Sequence, residues 1–213
     1  MEATRIIAVR HGETSWNADA RIQGHTDIAL NDTGLWQAEQ AGRALADEPL
    51  AHIYSSDLLR AFATAQAIAS ANGAALSAEP QLRERCFGTY EGQRFVDVEA
   101  IDPESALRWR KRDPVFAPPE GESLVVLLAR IQSIVNTLAA RHAGQQIALV
   151  AHGGVLDCLH RLATHQDLQA PRTWELGNTC INRLLWTPDS GLALVGWGDM
   201  SHLQQSGLDE ITA

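Results

Sequence analysis

The stretch from Arg5 to Asn17, RIIAVRHGETSWN, decides how the chain is to be read. Its apolar run, Ile6 to Val9, fits a strand buried on both faces. The run stops at Arg10, His11 and Gly12: a cation, an imidazole and a residue that lets backbone approach closely. No second histidine follows at metal-ligand spacing, and no cysteine nucleophile stands beside it.

Further along, the same grammar repeats. Leu35, Ala38, Ala41 and Leu45 recur at helical spacing behind caps at Asn31, Asp32 and Thr33. The run 51–55 reads as a short strand. Ser56 and Asp57 then cap a helix that Gly73 ends. A weak strand at 75–78 follows. Ser123 opens a long helix with apolar positions 124, 127, 128, 131, 134, 135 and 138. The run 146–151 (QIALVA) is another fully apolar strand, and 153–163 a further helix. Strands at 180–186 and 192–197 flank a hairpin-like turn, Thr187 to Gly191. Apolar strands alternating with helices indicate an α/β fold, a three-layer α/β/α sandwich around a mostly parallel sheet. All 213 residues are expected to form one domain. The stretch 93–122 breaks the rhythm with Asp102-Pro103, a basic run at 108–112 and prolines 114, 118 and 119, and reads as a small insertion over one end of the sheet.

The reactive side chains fall just past strand ends. His11 follows the first strand, Arg60 lies in the first turn after the second, Glu84 follows the third and His152 follows the fourth. In open parallel sheets ligands bind outside the carboxyl ends of the strands, so these separate segments are expected to share one crevice. Arg10 and Arg60 carry planar forks that match phosphate oxygens. Helix N-termini behind Arg60 and His152 add free N–H groups. The net charge is −9, which argues against nucleic-acid and anionic-membrane partners. A local cationic site on an acidic chain points to a small, strongly anionic ligand, and phosphate fits best.

Other classes are set aside on residue grounds. Cys158 is followed by Leu159, His160 and Arg161, not by a glycine-bearing anion loop. There is no P-loop, no His-Glu-x-x-His and no Asp-rich cluster, so no metal site is expected. Three irregularly spaced cysteines read as reduced thiols. With no signal-peptide core and no apolar run near the ~20 residues of a membrane helix, a cytoplasmic protein is expected.

These residues are similar to the signature of the histidine phosphatase superfamily, in its phosphoglycerate-mutase-like branch. The match runs from Arg10-His11-Gly12-Glu13-Thr14 with Asn17, through Gln23-Gly24, Asp27 and Leu30, then Ser55 to Ala61. It continues with Glu84-Arg85, Gly88 and Glu91-Gly92, and ends at His152-Gly153-Gly154. The resemblance implies that His11 attacks phosphorus and becomes a phosphohistidine. It implies that Arg10, Arg60 and His152 hold phosphoryl oxygens and that Glu84 carries the proton. Asn17, Gln23, Gly24 and Gly153 would line the phosphate and substrate site. It implies no cofactor, beyond a 2,3-bisphosphoglycerate primer if the chain is a mutase.

A phosphatase is favoured over a mutase. Gly153 and Gly154 stand where mutases carry an Asn-Ser pair, and Phe87 to Gly92 is similar to broad-range phosphatase relatives. Trp109-Arg110-Lys111-Arg112 leans the other way, because it is similar to the mutase stretch whose basic pair holds a substrate carboxylate. A non-catalytic phospholigand-binding protein is the third reading, and the presence of every catalytic position speaks against it. Arg108, Arg110, Lys111 and Arg112 are expected to set specificity, since the insertion should overhang the crevice. The expected partner is a small phosphorylated substrate; the chain itself would be a monomer or homodimer.

Overall fold

The computed structural model describes residues 2–204. Strand β1 (Thr4–Arg10) lies inside a six-stranded sheet together with β2 (Leu50–Ser55), β3 (Leu76–Ala78), β4 (Gln146–Ala151), β5 (Ile181–Thr187) and β6 (Gly191–Asp199). The order is β3-β2-β4-β1-β5-β6. The first four strands run parallel, β5 runs antiparallel to β1, and β6 antiparallel to β5. The turn after Thr187 closes the β5–β6 hairpin, with Thr187 opposite Gly191.

Alternation along β1 and β4 builds the three layers, because successive strand side chains point to opposite faces. Ile6, Ala8, Ile147 and Leu149 pack against α6 (Leu124–Ala140) and α7 (Gly153–Thr164), through Leu127, Ile131, Leu138, Leu156 and Leu159. Ile7, Val9, Ala148 and Val150 pack on the other face against α2 (Asp32–Ala44) and α3 (Leu59–Asn72), through Ala41, Ala65 and Ile68. With both faces covered, β1 and β4 are apolar throughout, which is why the sequence shows runs and not alternation there. Truncating a fully buried side chain such as Ile131 should cost about 2–5 kcal/mol.

Local chemistry explains most element starts. Asn31 caps α2 through Gly34 N at 2.8 Å, and Ser123 caps α6 through Val126 N at 3.3 Å. Helix α3 departs from expectation. Its N-cap is Leu58, not Ser56 or Asp57, and Leu58 supplies no side-chain cap. Asp27 does the work from 32 residues away, accepting from Leu59 N at 2.8 Å.

The insertion is more regular than its sequence suggests. It contains α4 (Phe95–Ile101) and α5 (Pro103–Arg110), separated by Asp102, which ends one and caps the other through Ser105 N. Pro103 sits at the first helical position, where its missing N–H costs nothing. Between the last strands and α7, the loop 165–180 crosses the carboxyl end of β1, with Thr179 N donating to Arg10 O at 3.1 Å. A short helix, α1 (Ser15–Ala18), begins at the Thr14 cap beyond β1.

Candidate active site

The parallel register puts the reactive residues level with one another. Arg10 pairs with Ala151 across β1 and β4, and Ser55 pairs with Val150 across β2 and β4. One residue on, His11 N donates to Ala151 O and Ser56 N to Val150 O, both strands still held as they end. His11, His152 and Ser56 therefore emerge side by side. The two imidazole rings lie 5.2 Å apart, tilted by 58°.

Each ring is fixed by its outward nitrogen. His11 Nδ1 lies 2.7 Å from Gly12 O. A carbonyl only accepts, so Nδ1 carries the proton and Nε2 keeps its lone pair. His152 Nε2 lies 2.8 Å from Ser56 Oγ, while its Nδ1 is buried without a partner among the described residues. Burial first, then the Arg10 and Arg60 cations, hold His11 well below the ordinary imidazole range. Burial first, then Arg60 and His11, do the same to His152. Both rings are neutral at pH 7.

Gly12 makes room for this arrangement. A side chain there would collide with the backbone of Gly34, and Gly12 N donates to Thr64 Oγ1 at 3.0 Å. The loop after β1 is thus pressed onto α2 and α3.

Arg60 is fully buried, held by two carbonyls: Gly24 O at 2.7 Å and Thr26 O at 3.0 Å. That 24–26 turn is organised by Glu91, whose carboxylate accepts from His25 N, Thr26 N, Thr26 Oγ1 and Phe87 N. Arg10 is held by Leu176 O. Arg10 Nε and Arg60 Nε are buried donors and His152 Nδ1 a buried ring nitrogen, all three without partners among the described residues. Buried polar groups are nearly always paired, so this trio is suited to an oxyanion.

Glu84 faces the trio from the other side. Its carboxylate accepts from Gly154 N at 3.1 and 3.0 Å and from Arg85 N at 2.8 Å. The N-terminus of α7, expected to serve an anion, here serves this carboxylate. Gly153 lies between Arg10 and Glu84: a methyl group on it would sit 3.8 Å from both Arg10 Nε and Glu84 Oε2. His25 lies with Nε2 2.8 Å from Glu84 O, and Arg130 holds the same carbonyl at 3.3 Å.

Three expected ligands have supporting jobs. Asn17 closes a capping box with Thr14, accepting from Thr14 N at 3.1 Å. Gln23 Oε1 accepts from Thr14 Oγ1 at 3.1 Å, and Gly24 offers its carbonyl to Arg60 from φ +57°. Asn178 was not legible as a site residue, yet its Nδ2 donates to His11 O at 2.9 Å.

A cleft of about 320 Å³ opens beside Arg10, Glu84, Gly153 and Gly154. The insertion supplies Trp109 and Arg112 to its wall, with Trp109 stacked on Phe87 at 5.0 Å. The basic run divides here. Arg108 pairs with Asp113 at 2.8 Å, Arg110 pairs with Glu99 at 2.7 Å, and Lys111 is exposed; none of the three lines the cleft. Helical geometry turns them away, and only Arg112, past the end of α5, points in. Arg85 lines the cleft as well, its pKa pulled down by burial to about 10, so it stays charged at neutral pH.

Among the described residues no three His, Cys, Asp or Glu side chains converge as metal ligands would, and no helix is long and apolar enough to cross a membrane.

Comparison with known proteins gives a consistent relationship. The family model described as histidine phosphatase superfamily (branch 1) matches residues 6–200. The chain is 37% identical over 210 residues to "Phosphoglycerate mutase-like protein 4" of Arabidopsis thaliana, covering 97% of this chain and 90% of the relative. It superposes on mycobacterial glucosyl-3-phosphoglycerate phosphatase with a TM-score of 0.83 at 30% identity, covering 92% of this chain and 99% of the other. It superposes on phosphoserine phosphatase from Entamoeba histolytica, solved with 3-phosphoglyceric acid, with a TM-score of 0.84 at 27% identity, covering 94% and 100%.

Proposed function

The chain belongs to the histidine phosphatase superfamily, and from that premise we propose that it hydrolyses small phosphomonoesters through a phosphohistidine at His11. The observation that carries this reading is the His11 tautomer: Nδ1 is committed to Gly12 O, which leaves the Nε2 lone pair to attack.

In the first step His11 Nε2 bonds to phosphorus and the P–O ester bond breaks, while the Glu84 carboxyl gives its proton to the leaving oxygen. Arg10 Nε, Arg60 Nε and His152 Nδ1–H donate to the equatorial oxygens, where charge is spread in the transition state. His152 can donate if Ser56 Oγ–H points at its Nε2, which places the ring proton on Nδ1. In the second step a water oxygen attacks phosphorus, Glu84 takes the water proton, and the P–N bond to His11 breaks. The two arginines supply the charge that a metal supplies elsewhere, with neutral His152 as a further donor, so the reaction proceeds in excess EDTA.

The mutase reading keeps the same first step and replaces water by a second oxygen of a sugar acid; the name of the Arabidopsis thaliana relative favours it. One experiment separates the two. Phosphate release and phosphoglycerate isomerisation are each measured with and without 2,3-bisphosphoglycerate. Primer-independent phosphate release that outruns isomerisation supports the phosphatase. Primer-dependent isomerisation that outruns phosphate release overturns it.

A further inference from the structure

The loop 165–180 carries a cation whose use nothing above explains. Four arginines and two carboxylates line the cleft. Arg10 belongs to the phosphate side. Arg85 donates to Glu122 O and Phe116 O. Arg112 donates to Leu168 O and to Asp157 Oδ2, a carboxylate oxygen that it shares with Arg161. Arg172 makes no hydrogen bond or ion pair among the described residues, and it is near enough to Arg10 for the two charges to oppose each other.

Its side chain is exposed at the mouth of the cleft and is open to a second anion on a bound substrate, because opposite charges attract at close range. The loop that carries it is held by construction. Arg161, fully buried, donates to Asp167 O and Ala170 O and packs its guanidinium 4.9 Å from the Trp174 ring. Trp174 stacks on His160 at 3.7 Å. Trp197 Nε1 holds Glu175 O, and Arg10 holds Leu176 O. Arg172 therefore stands on a loop pinned on both sides by α7, β6 and the phosphate site, and not on a free excursion.

We propose that Arg172 selects substrates whose leaving group carries a carboxylate, with the phosphoryl group at His11 and the carboxylate at Arg172. The proposal rests on the phosphatase reading and deepens it. A phosphomonoester dianion is matched by Arg10 and Arg60, which leaves Arg172 for a second anion. The cleft has room for a short phosphorylated acid. This moves selectivity from the basic run of the insertion, where the sequence pointed, to a loop about 60 residues further on.

The test uses 3-phosphoglycerate and glycerol 3-phosphate, which differ only in carboxylate against hydroxymethyl, with p-nitrophenyl phosphate as the activity check. The wild-type protein should show the higher kcat/KM for 3-phosphoglycerate. In Arg172→Ala the ratio between the two should fall roughly tenfold to a hundredfold, the range for a lost hydrogen bond to a charged group, mostly through KM for 3-phosphoglycerate. Arg172→Lys should recover part of the ratio, and Arg108→Ala should leave it within about twofold. A ratio unchanged in Arg172→Ala, or a wild type without preference for the acid, overturns the proposal. If no phosphomonoester is hydrolysed, the phosphatase reading fails by itself. Calorimetry of 3-phosphoglycerate binding then decides on Arg172: a tenfold weaker Kd in Arg172→Ala supports it, an equal Kd overturns it.

Discussion

His11 and His152 face each other with ring centroids 5.2 Å apart, and each is tied from behind, one to Gly12 O and the other to Ser56 Oγ. Their free nitrogens are thereby chosen by backbone and hydroxyl, not by substrate. Preorganisation of this kind saves reorganisation at the moment of reaction.

Gly154 offers a test of Glu84 that leaves the carboxylate itself in place. A methyl group on Gly154 would run into Glu84 Oε1. Gly154→Ala should therefore displace the carboxylate, and a shift near 1 Å can cost about 10²-fold. The loss should be large for alkyl phosphates, whose leaving oxygen needs a proton, and small for p-nitrophenyl phosphate. Glu84→Gln should show the same pattern more strongly, about 10²–10⁴-fold on alkyl phosphates. Equal losses on both substrate types would separate Glu84 from proton transfer. Since alanine is otherwise the better helix former, unfolding should register little change.

Arg60→Lys keeps the charge and loses the fork. One of the two carbonyls, Gly24 O or Thr26 O, is then left without its donor in a buried place. Denaturant unfolding should report a loss of about 1–3 kcal/mol. The kcat/KM should fall roughly 10²–10³-fold, the scale of a lost oxyanion donor. A lysine variant with wild-type activity would mean that only the net charge matters at this position.

Stability should fall on mild acidification. His11 and His152 have folded pKa values pushed well below 6.5, chiefly by burial. An unfolded histidine takes up a proton below about pH 6.5 and the folded ones do not, so the unfolded state binds more protons there. The stability these groups contribute is complete above that pH and is lost as pH falls towards their folded values. The slope is about 1.4 kcal/mol per pH unit for each histidine. Urea midpoints recorded from pH 7 to pH 5 check this, above the range where carboxylates titrate. A flat profile across that window would show that the two rings accept protons in the folded state.

Much of this was legible in the chain because β1 and β4 are buried on both faces and therefore write themselves as apolar runs. The reactive groups directly after those runs inherit their position from the sheet register. Two kinds of feature were not legible. Asp27 caps α3 and Asn178 holds His11 O across 32 and 167 residues, and no local pattern signals such a contact. The basic run at 108–112 divides between cleft and surface, which its composition does not show, because composition does not say which face a residue takes. Only the end of α5, one residue past Lys111, turns Arg112 towards Asp157. Arg172 sits in a segment without periodicity, and the α7 side chain that anchors its loop, Arg161, leaves no local signal there.

The most direct measurement is the identity of the phosphorylated atom. Protein mixed with labelled substrate and quenched within the first turnover should carry label that survives alkali and is released by acid, located by peptide mapping on His11. His11→Ala should carry none and should lose at least ~10³ in rate, as nucleophile deletions do. Acid-stable label, label on another residue, or a phosphoenzyme that persists in His11→Ala would contradict a phosphohistidine at this position.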